Sequence, residues 1–182
     1  MTARVRLYAA ISLDGCLADA VGEVGWLAPY EAEDYGMPGF LAQIGTVLTG
    51  RTTYDQARGF GDWPYAGKRM VVLTTRPLDP DPPAGVEATA GDLGAIVARL
   101  RAETAGDIWL LGGAAVAQAC LARGLVDSLE LFVIPLTLGA GLRLFAPAGP
   151  LRGWRLAETR SWPNGVVLLR YDPARDGGQP SG

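Results

Sequence analysis

Apolar residues along the chain gather into five short runs, Val5–Ile11, Thr46–Thr49, Met70–Thr74, Ile108–Leu111 and Leu129–Ile134, with segments of helical period between them. Short continuous apolar runs read as strands buried on both faces, and the intervening segments supply the layers that cover them. The pattern predicts an α/β fold with a mixed, mainly parallel central sheet and helices on both faces. The clearest helix opens at Asp92 as N-cap and places Leu93, Ile96, Val97 and Leu100 on one stripe. Another follows Gly112–Gly113, aligns Val116, Ala117, Cys120 and Leu121, and stops at Gly124, where a left-handed C-cap is natural. A third is expected near Glu31–Ile44, although Gly36, Pro38 and Gly39 interrupt it and Pro38 suits the first turn of a new helix. Near the end, Trp154–Trp162 and Val166–Tyr171 flank Pro163–Asn164–Gly165, a strong hairpin signal, so the sheet should close with an antiparallel pair. Residues 1–172 read as one domain, and the Gly-, Pro- and charge-rich residues 173–182 as a disordered tail.

Composition narrows the chemistry. The net charge of −3 comes from 16 basic and 19 acidic residues interleaved along the chain, which argues against nucleic acid or an anionic membrane as a general partner. Leu7–Leu13 is cut off by Asp14 and has no cleavage pattern behind it, so neither a signal peptide nor a span is expected and a cytoplasmic location follows. Cys16 and Cys120 are far apart and lie in apolar contexts, which suits free buried thiols; neither a disulfide nor a metal is expected. The chain contains no histidine, which removes Ser-His-Asp and Cys-His schemes and leaves carboxylates, tyrosine, lysine or water to move protons.

Three strand-to-helix turns carry the candidate chemistry. Thr49–Gly50–Arg51–Thr52–Thr53–Tyr54 would aim backbone N–H groups and a helix dipole outward beside a fixed cation, a site for a pyrophosphate or a 2′-phosphate; equally, it reads as a Thr-capped helix with an exposed arginine. Leu73–Thr74–Thr75–Arg76–Pro77 ends the next strand with two hydroxyls and a guanidinium, or simply with a Pro-bounded turn. Leu110–Leu111–Gly112–Gly113–Ala114–Ala115 lets a backbone approach a ligand closely. If the strands are neighbours, as sequential parallel strands usually are, these turns converge on one ligand. By contrast, Gly139–Ala140–Gly141 lacks a following helix and reads as a loop closing a strand connection.

With Ala9–Ala10–Ile11–Ser12–Leu13–Asp14–Gly15, Gly124–Leu125–Val126–Asp127–Ser128–Leu129–Glu130–Leu131 and Pro135–Leu136–Thr137–Leu138–Gly139–Ala140–Gly141–Leu142–Arg143–Leu144–Phe145, these turns form an ordered set over about residues 4 to 171. The set resembles the dihydrofolate reductase superfamily, especially the branch similar to the reductase domain of bacterial riboflavin biosynthesis. The resemblance implies a three-layer sandwich and an NADPH-dependent reductase of a small heterocycle, pterin-like or ribosylaminopyrimidine-like. It implies that Ala10 and Leu17 contact the nicotinamide and that Gly50, Arg51, Thr52 and Thr53 bind the cofactor phosphates. Thr74, Thr75 and Arg76 would take the 2′-phosphate, and Gly112 and Gly113, joined by a cis peptide, would hold the pyrophosphate with Ala115 and Val116 behind them. Asp34, sixteen residues before Gly50, stands where dihydrofolate reductases carry their acid, though with Glu31 and Glu33 it also reads as charge at a helix start. A homodimer built through Leu129–Ile134 and the loop to Phe145 is implied as well.

Departures limit the transfer. Lys68, with Arg69 beside it, stands where folate enzymes use a forked arginine, and Leu111 where the riboflavin enzymes have an acid. Trp26 and Leu27 follow a Gly-rich loop that could close over the site, or simply lie on the surface. The competing reading is a noncatalytic NADPH- or nucleotide-binding module with the same turns and no working acid.

Overall fold

The computed structural model describes residues 2–147 and 149–174. Its strands are β1 Val5–Ser12, β2 Cys16–Asp19, β3 Ile44–Gly50, β4 Arg69–Leu73, β5 Val86–Thr89, β6 Asp107–Gly112, β7 Ser128–Ile134, β8 Gly141–Arg143, β9 Trp154–Ser161 and β10 Val167–Pro173. Eight of them form one sheet in the order β5-β4-β3-β6-β1-β7-β10-β9. The six from β5 to β7 run parallel, and β10 and β9 close the sheet antiparallel. All five apolar runs became strands, because each has residues to bury on both faces.

Helices α1 (Met37–Gln43) and α2 (Arg51–Arg58) cover one face, while α3 (Leu93–Glu103) and α4 (Ala114–Ala122) cover the other, giving the three layers expected. Alternate residues of each strand therefore enter different cores. Val5, Leu7, Leu48, Val71, Leu110 and Leu131 join an aliphatic core with Ile96, Val97 and Leu100 of α3 and Ala117 and Cys120 of α4. Tyr8, Val47, Met70, Trp109 and Phe132 join an aromatic core with Phe40 of α1 and Tyr54 of α2. The expected ends hold: the Asp92 carboxylate accepts from the Ala95 N–H at 2.9 Å, and Gly124 terminates α4 at φ +67°. In the hairpin, Gly165 sits at φ +87° and the Trp162 N–H donates to the Val166 carbonyl at 3.0 Å.

Four expectations need correction. The helix expected near Glu31–Ile44 begins only at Met37, because Gly36 turns left-handed at φ +84° and Pro38 starts a first turn better than it continues one; a 3-10 turn, Gly25–Tyr30, precedes it. Gly139–Ala140–Gly141 is not wholly loop, since Gly141 opens β8, which pairs antiparallel with β2. The segment expected to be a disordered tail loses its first residues: Pro173 pairs with Trp154 and the Ala174 N–H donates to Gly153 at 3.0 Å, while residues 175–182 lie outside those described. Finally, Leu129–Ile134 cannot join two subunits as a strand, because β7 is already paired on both edges, to β1 and β10.

One pair of charges is buried within the sheet. Arg6 on β1 and Glu130 on β7 face the α1 side, 9% and 6% exposed, joined by Nε to Oε1 at 2.7 Å and Nη2 to Oε2 at 2.8 Å. Gln43 at 2.8 Å and Asp107 at 3.3 Å take the remaining Nη1 donor, and the guanidinium lies 4.7 Å from the centre of the Phe40 ring. Every donor direction is thereby filled, the condition for burying a charge.

Candidate functional site

The strand register brings the three turns together. Gly50 of β3 lies beside Leu73 of β4, Leu73 beside Thr89 of β5, and Thr49 beside Gly112 of β6, so four neighbouring strands end at one edge. Side chains lock the arrangement: the Gly113 N–H donates to Thr53 Oγ1 at 2.8 Å, and Thr49 Oγ1 donates to the Gly112 carbonyl at 3.0 Å. A Cβ on Gly113 would come 3.0 Å from Thr53 Oγ1, and one on Gly50 would come 3.0 Å from Val116 Cγ2, so both positions depend on the missing side chain. Gly112 takes φ +121°, a conformation suited to glycine. Through that angle the chain reverses with a trans bond: the cis peptide expected between Gly112 and Gly113 is not there, nor is any other cis bond among the described residues.

The competing description of α2 as a Thr-capped helix does not hold. Gly50 is the N-cap of α2 and Gly113 that of α4, and neither helix has a side-chain cap bond. Two positive helix ends with exposed backbone donors therefore open on the same edge, a geometry that attracts anions. Beside them runs a cleft of about 520 Å³ lined by Leu73, Thr74, Thr75, Thr89, Gly91, Asp92, Ala115, Val116 and Arg123, among others. Thr74, Thr75, Ala115 and Val116 were expected there; Thr89, Asp92 and Arg123 were not, because no motif in the chain marks the end of β5 or the far turn of α4.

Arg51 is not the free cation expected. Its Nε meets Asp55 Oδ1 at 2.7 Å, Nη2 meets Asp79 Oδ1 at 3.2 Å and Nη1 donates to the Pro77 carbonyl at 2.6 Å. It thus ties the start of α2 to the segment after β4. Thr52 is exposed on the first turn of α2. Arg76 is exposed, its N–H donating to Thr74 Oγ1 at 3.0 Å, and no side-chain partner holds its guanidinium among the described residues.

The nicotinamide residues part company. Ala10 packs against the aromatic core and Leu17 of β2 against the aliphatic one. Asp34 lies outside any helix, exposed, with its carboxylate accepting from the Gly36 N–H at 2.7 Å. The aromatic face itself is continuous. Tyr8 stacks on Phe40 at 4.0 Å between centroids, and edge or tilted contacts link Phe132, Tyr35 and Trp162 on one side to Trp109, Tyr65 and Trp63 on the other. Burial, with Glu130 and Asp34 nearby, pushes the Tyr8 phenol up, and burial pushes Tyr65 up to about 12, so both stay neutral over the ordinary pH range. Tyr35 fastens this face: its hydroxyl donates to the Tyr30 carbonyl at 2.8 Å and accepts from Asn164 Nδ2 at 2.7 Å.

Asp14 keeps the turn role favoured by its Asp-Gly setting and adds another. Its carboxylate accepts from Ser12 Oγ at 2.6 Å, Leu138 N–H at 3.1 Å and Gly139 N–H at 2.8 Å, pinning the loop after β7 to the loop after β1. The Ser12 hydroxyl, with the Leu138 and Gly139 N–H groups, holds its pKa down to about 2. Because the folded value is depressed, this contribution is present above the ordinary carboxylate range near pH 4 and is lost as pH falls through about 2. Asp14→Asn should therefore reduce the fall in urea midpoint between about pH 4 and 2 relative to the parent; identical pH profiles would remove the clamp.

Among the described residues no helix is long and apolar enough to cross a membrane. Comparison with known proteins follows the same lines. The chain is 32% identical over 170 residues to the uncharacterized protein YwjB of Bacillus subtilis, covering 92% of this chain and 97% of the relative. A crystal structure of a Shewanella sp. PV-4 protein ascribed to riboflavin biosynthesis superposes with a TM-score of 0.86 at 26% identity, over 96% of this chain and all of the other. Dihydrofolate reductase from Enterococcus faecalis, complexed with NADP(H), shares the fold at a TM-score of 0.68 and 18% identity, over 94% and 97% of the two chains. The RibD C-terminal domain model matches residues 3–168, and with the reductase-type sheet, its helix layers and its closing hairpin all in place, the chain belongs to that family.

Proposed function

We propose that the chain is an NADPH-dependent reductase that delivers hydride to a small heterocycle at the edge where β1, β3 and β6 end. The observation that carries this reading is the pair of uncapped helix starts at Gly50 and Gly113, meeting beside the Thr74–Arg76 turn. The phosphates would lie against the Gly50–Thr53 and Gly112–Gly113 backbones, and the 2′-phosphate against Thr74, Thr75 and Arg76. When bound, the cofactor supplies hydride from its dihydronicotinamide ring; the protein's share is placement and exclusion of water. The carbon of a C=N bond takes the hydride, and its nitrogen takes one proton.

The exposed, already hydrogen-bonded carboxylate of Asp34 favours water over Asp34 as the source of that proton. Asp34→Asn is then expected to leave NADPH affinity unchanged and turnover within about threefold, far below the 100-fold or more that loss of a general acid removes. The same exposed carboxylate is what a noncatalytic nucleotide-binding module would have; such a module would bind NADPH and turn over nothing. A homodimer belongs to this reading by family likeness, with exposed Leu142 and Phe145 as its surface in place of β7.

The direct test is a fluorescence titration. NADPH should bind saturably and at least tenfold tighter than NADH, as a charge-assisted phosphate contact implies. Gly50→Val, which puts a side chain where a Cβ already meets Val116, should weaken NADPH binding by more than tenfold while the protein stays folded by circular dichroism. Failure of the parent to bind NADPH ends the reductase reading.

A further inference from the structure

Two buried hydrogen-bond donors have no acceptor. The indole Nε1 atoms of Trp26 and Trp63 are both sealed from solvent and without a partner, and both rings pack against the aromatic core to which Ala10 also belongs. A buried donor left unmade is costly enough to call for an explanation. Both indoles sit in Gly-punctuated segments on either side of α2, Trp26 after Gly22 and Gly25, Trp63 after Gly59 and Gly61. The first segment is held to α2 by a single side-chain bond, Gln56 Nε2 to the Gly22 carbonyl at 3.1 Å.

The charges around this face point the same way. Lys68 spends its ammonium on the Leu41 and Ile44 carbonyls, both at 2.8 Å, and Arg6 is closed in by Glu130. Arg58 turns to the Asp81 carbonyl at 3.1 Å, and Arg160 lies over the outer ring of Trp162, 5.0 Å from its centre. The segment leading into α1 instead exposes three carboxylates, Glu31, Glu33 and Asp34. A phosphorylated substrate would find an acidic rim and an aromatic floor.

We propose, resting on the reductase reading above, that the reducible partner is a flat, unphosphorylated heterocycle whose ring carbonyl or ring nitrogen accepts from the Trp26 and Trp63 indoles. Aromatic walls give stacking area and the indoles give direction, with no ionic contact required. The reaction keeps its balance: NADPH loses hydride to the C=N carbon, water supplies the proton to nitrogen, and NADP⁺ and the C–H, N–H product leave. The phosphoribosyl form of such a substrate is rejected because its dianion meets the acidic rim.

The test uses the protein saturated with NADP⁺ and two matched probes, an aminouracil carrying a ribosylamino group and the same molecule as its 5′-phosphate, with a neutral dihydropterin as third probe. Binding is read by tryptophan quenching and calorimetry. The unphosphorylated probes should bind at least about tenfold tighter than the phosphate, with a gap that narrows as salt is raised. Trp26→Phe and Trp63→Phe should each weaken the better neutral probe by about tenfold while NADPH affinity and the melting profile hold. Tighter binding of the phosphate, no saturable binding of either neutral probe, or full affinity in both phenylalanine variants overturns the proposal. NADPH binding separates the two levels: its loss ends the reductase reading, whereas its retention with a preference for phosphate ends this inference alone.

Discussion

Replacing Glu130 with alanine is expected to cost about 3–5 kcal/mol of folding stability, the usual penalty for stranding a buried charge. Arg6 would remain 9% exposed inside the sheet with its two best bonds gone and only Gln43 and Asp107 to hold it. For a chain of this length the loss should lower the melting temperature by on the order of 10 °C. Glu130→Gln keeps one acceptor oxygen and should lose less. The double change Arg6→Met with Glu130→Leu should recover most of the loss, because a packed apolar pair can replace a buried ion pair at little cost. Urea unfolding of the three variants decides it; an alanine variant within about 1 kcal/mol of the parent would show the pair to be solvated.

Arg76→Ala should weaken NADPH binding by about 10- to 100-fold and leave NADH binding within about twofold, since a charge-assisted bond to phosphate contributes roughly 1.5–3 kcal/mol. The burden falls on Arg76 because Arg51 is committed to Asp55, Asp79 and Pro77, while the Arg76 side chain is exposed beside the cleft. Titration of both dinucleotides at two salt concentrations measures the effect, and the NADPH advantage should shrink with salt. Equal losses for NADPH and NADH would instead place the residue against a group common to both.

Much of the architecture was readable because the strands buried on both faces leave unbroken apolar runs, and because Asp92, Gly124 and Asn164–Gly165 mark their elements by local chemistry alone. β2, β5 and β8 were not readable. They are three or four residues long, and Val86–Thr89 sits at the sheet edge with Glu87 and Ala88 exposed, so no apolar run announces it. The start of α1 was blurred by three breakers, and its late beginning moved Asp34 from a helix to a loop. At the phosphate edge the order of turns was visible, but not the partners of Arg51: Asp79 lies 28 positions away and meets it only once β4 is laid beside β3. Local signals find turns; pairing across the sheet decides which side chains those turns leave free.

The division of the two cores by residue type has a practical outcome. Four of the five tryptophans, Trp26, Trp63, Trp109 and Trp162, lie on the α1–α2 side, and Trp154 alone packs toward α3 and α4. Reduced nicotinamide absorbs where indole emits, so a dinucleotide reaching Ala10 would drain the emission of the crowded side while the lone indole opposite kept more of its own. The molecule carries a built-in optical gauge, and removing Trp154 would leave a signal that reads one face only.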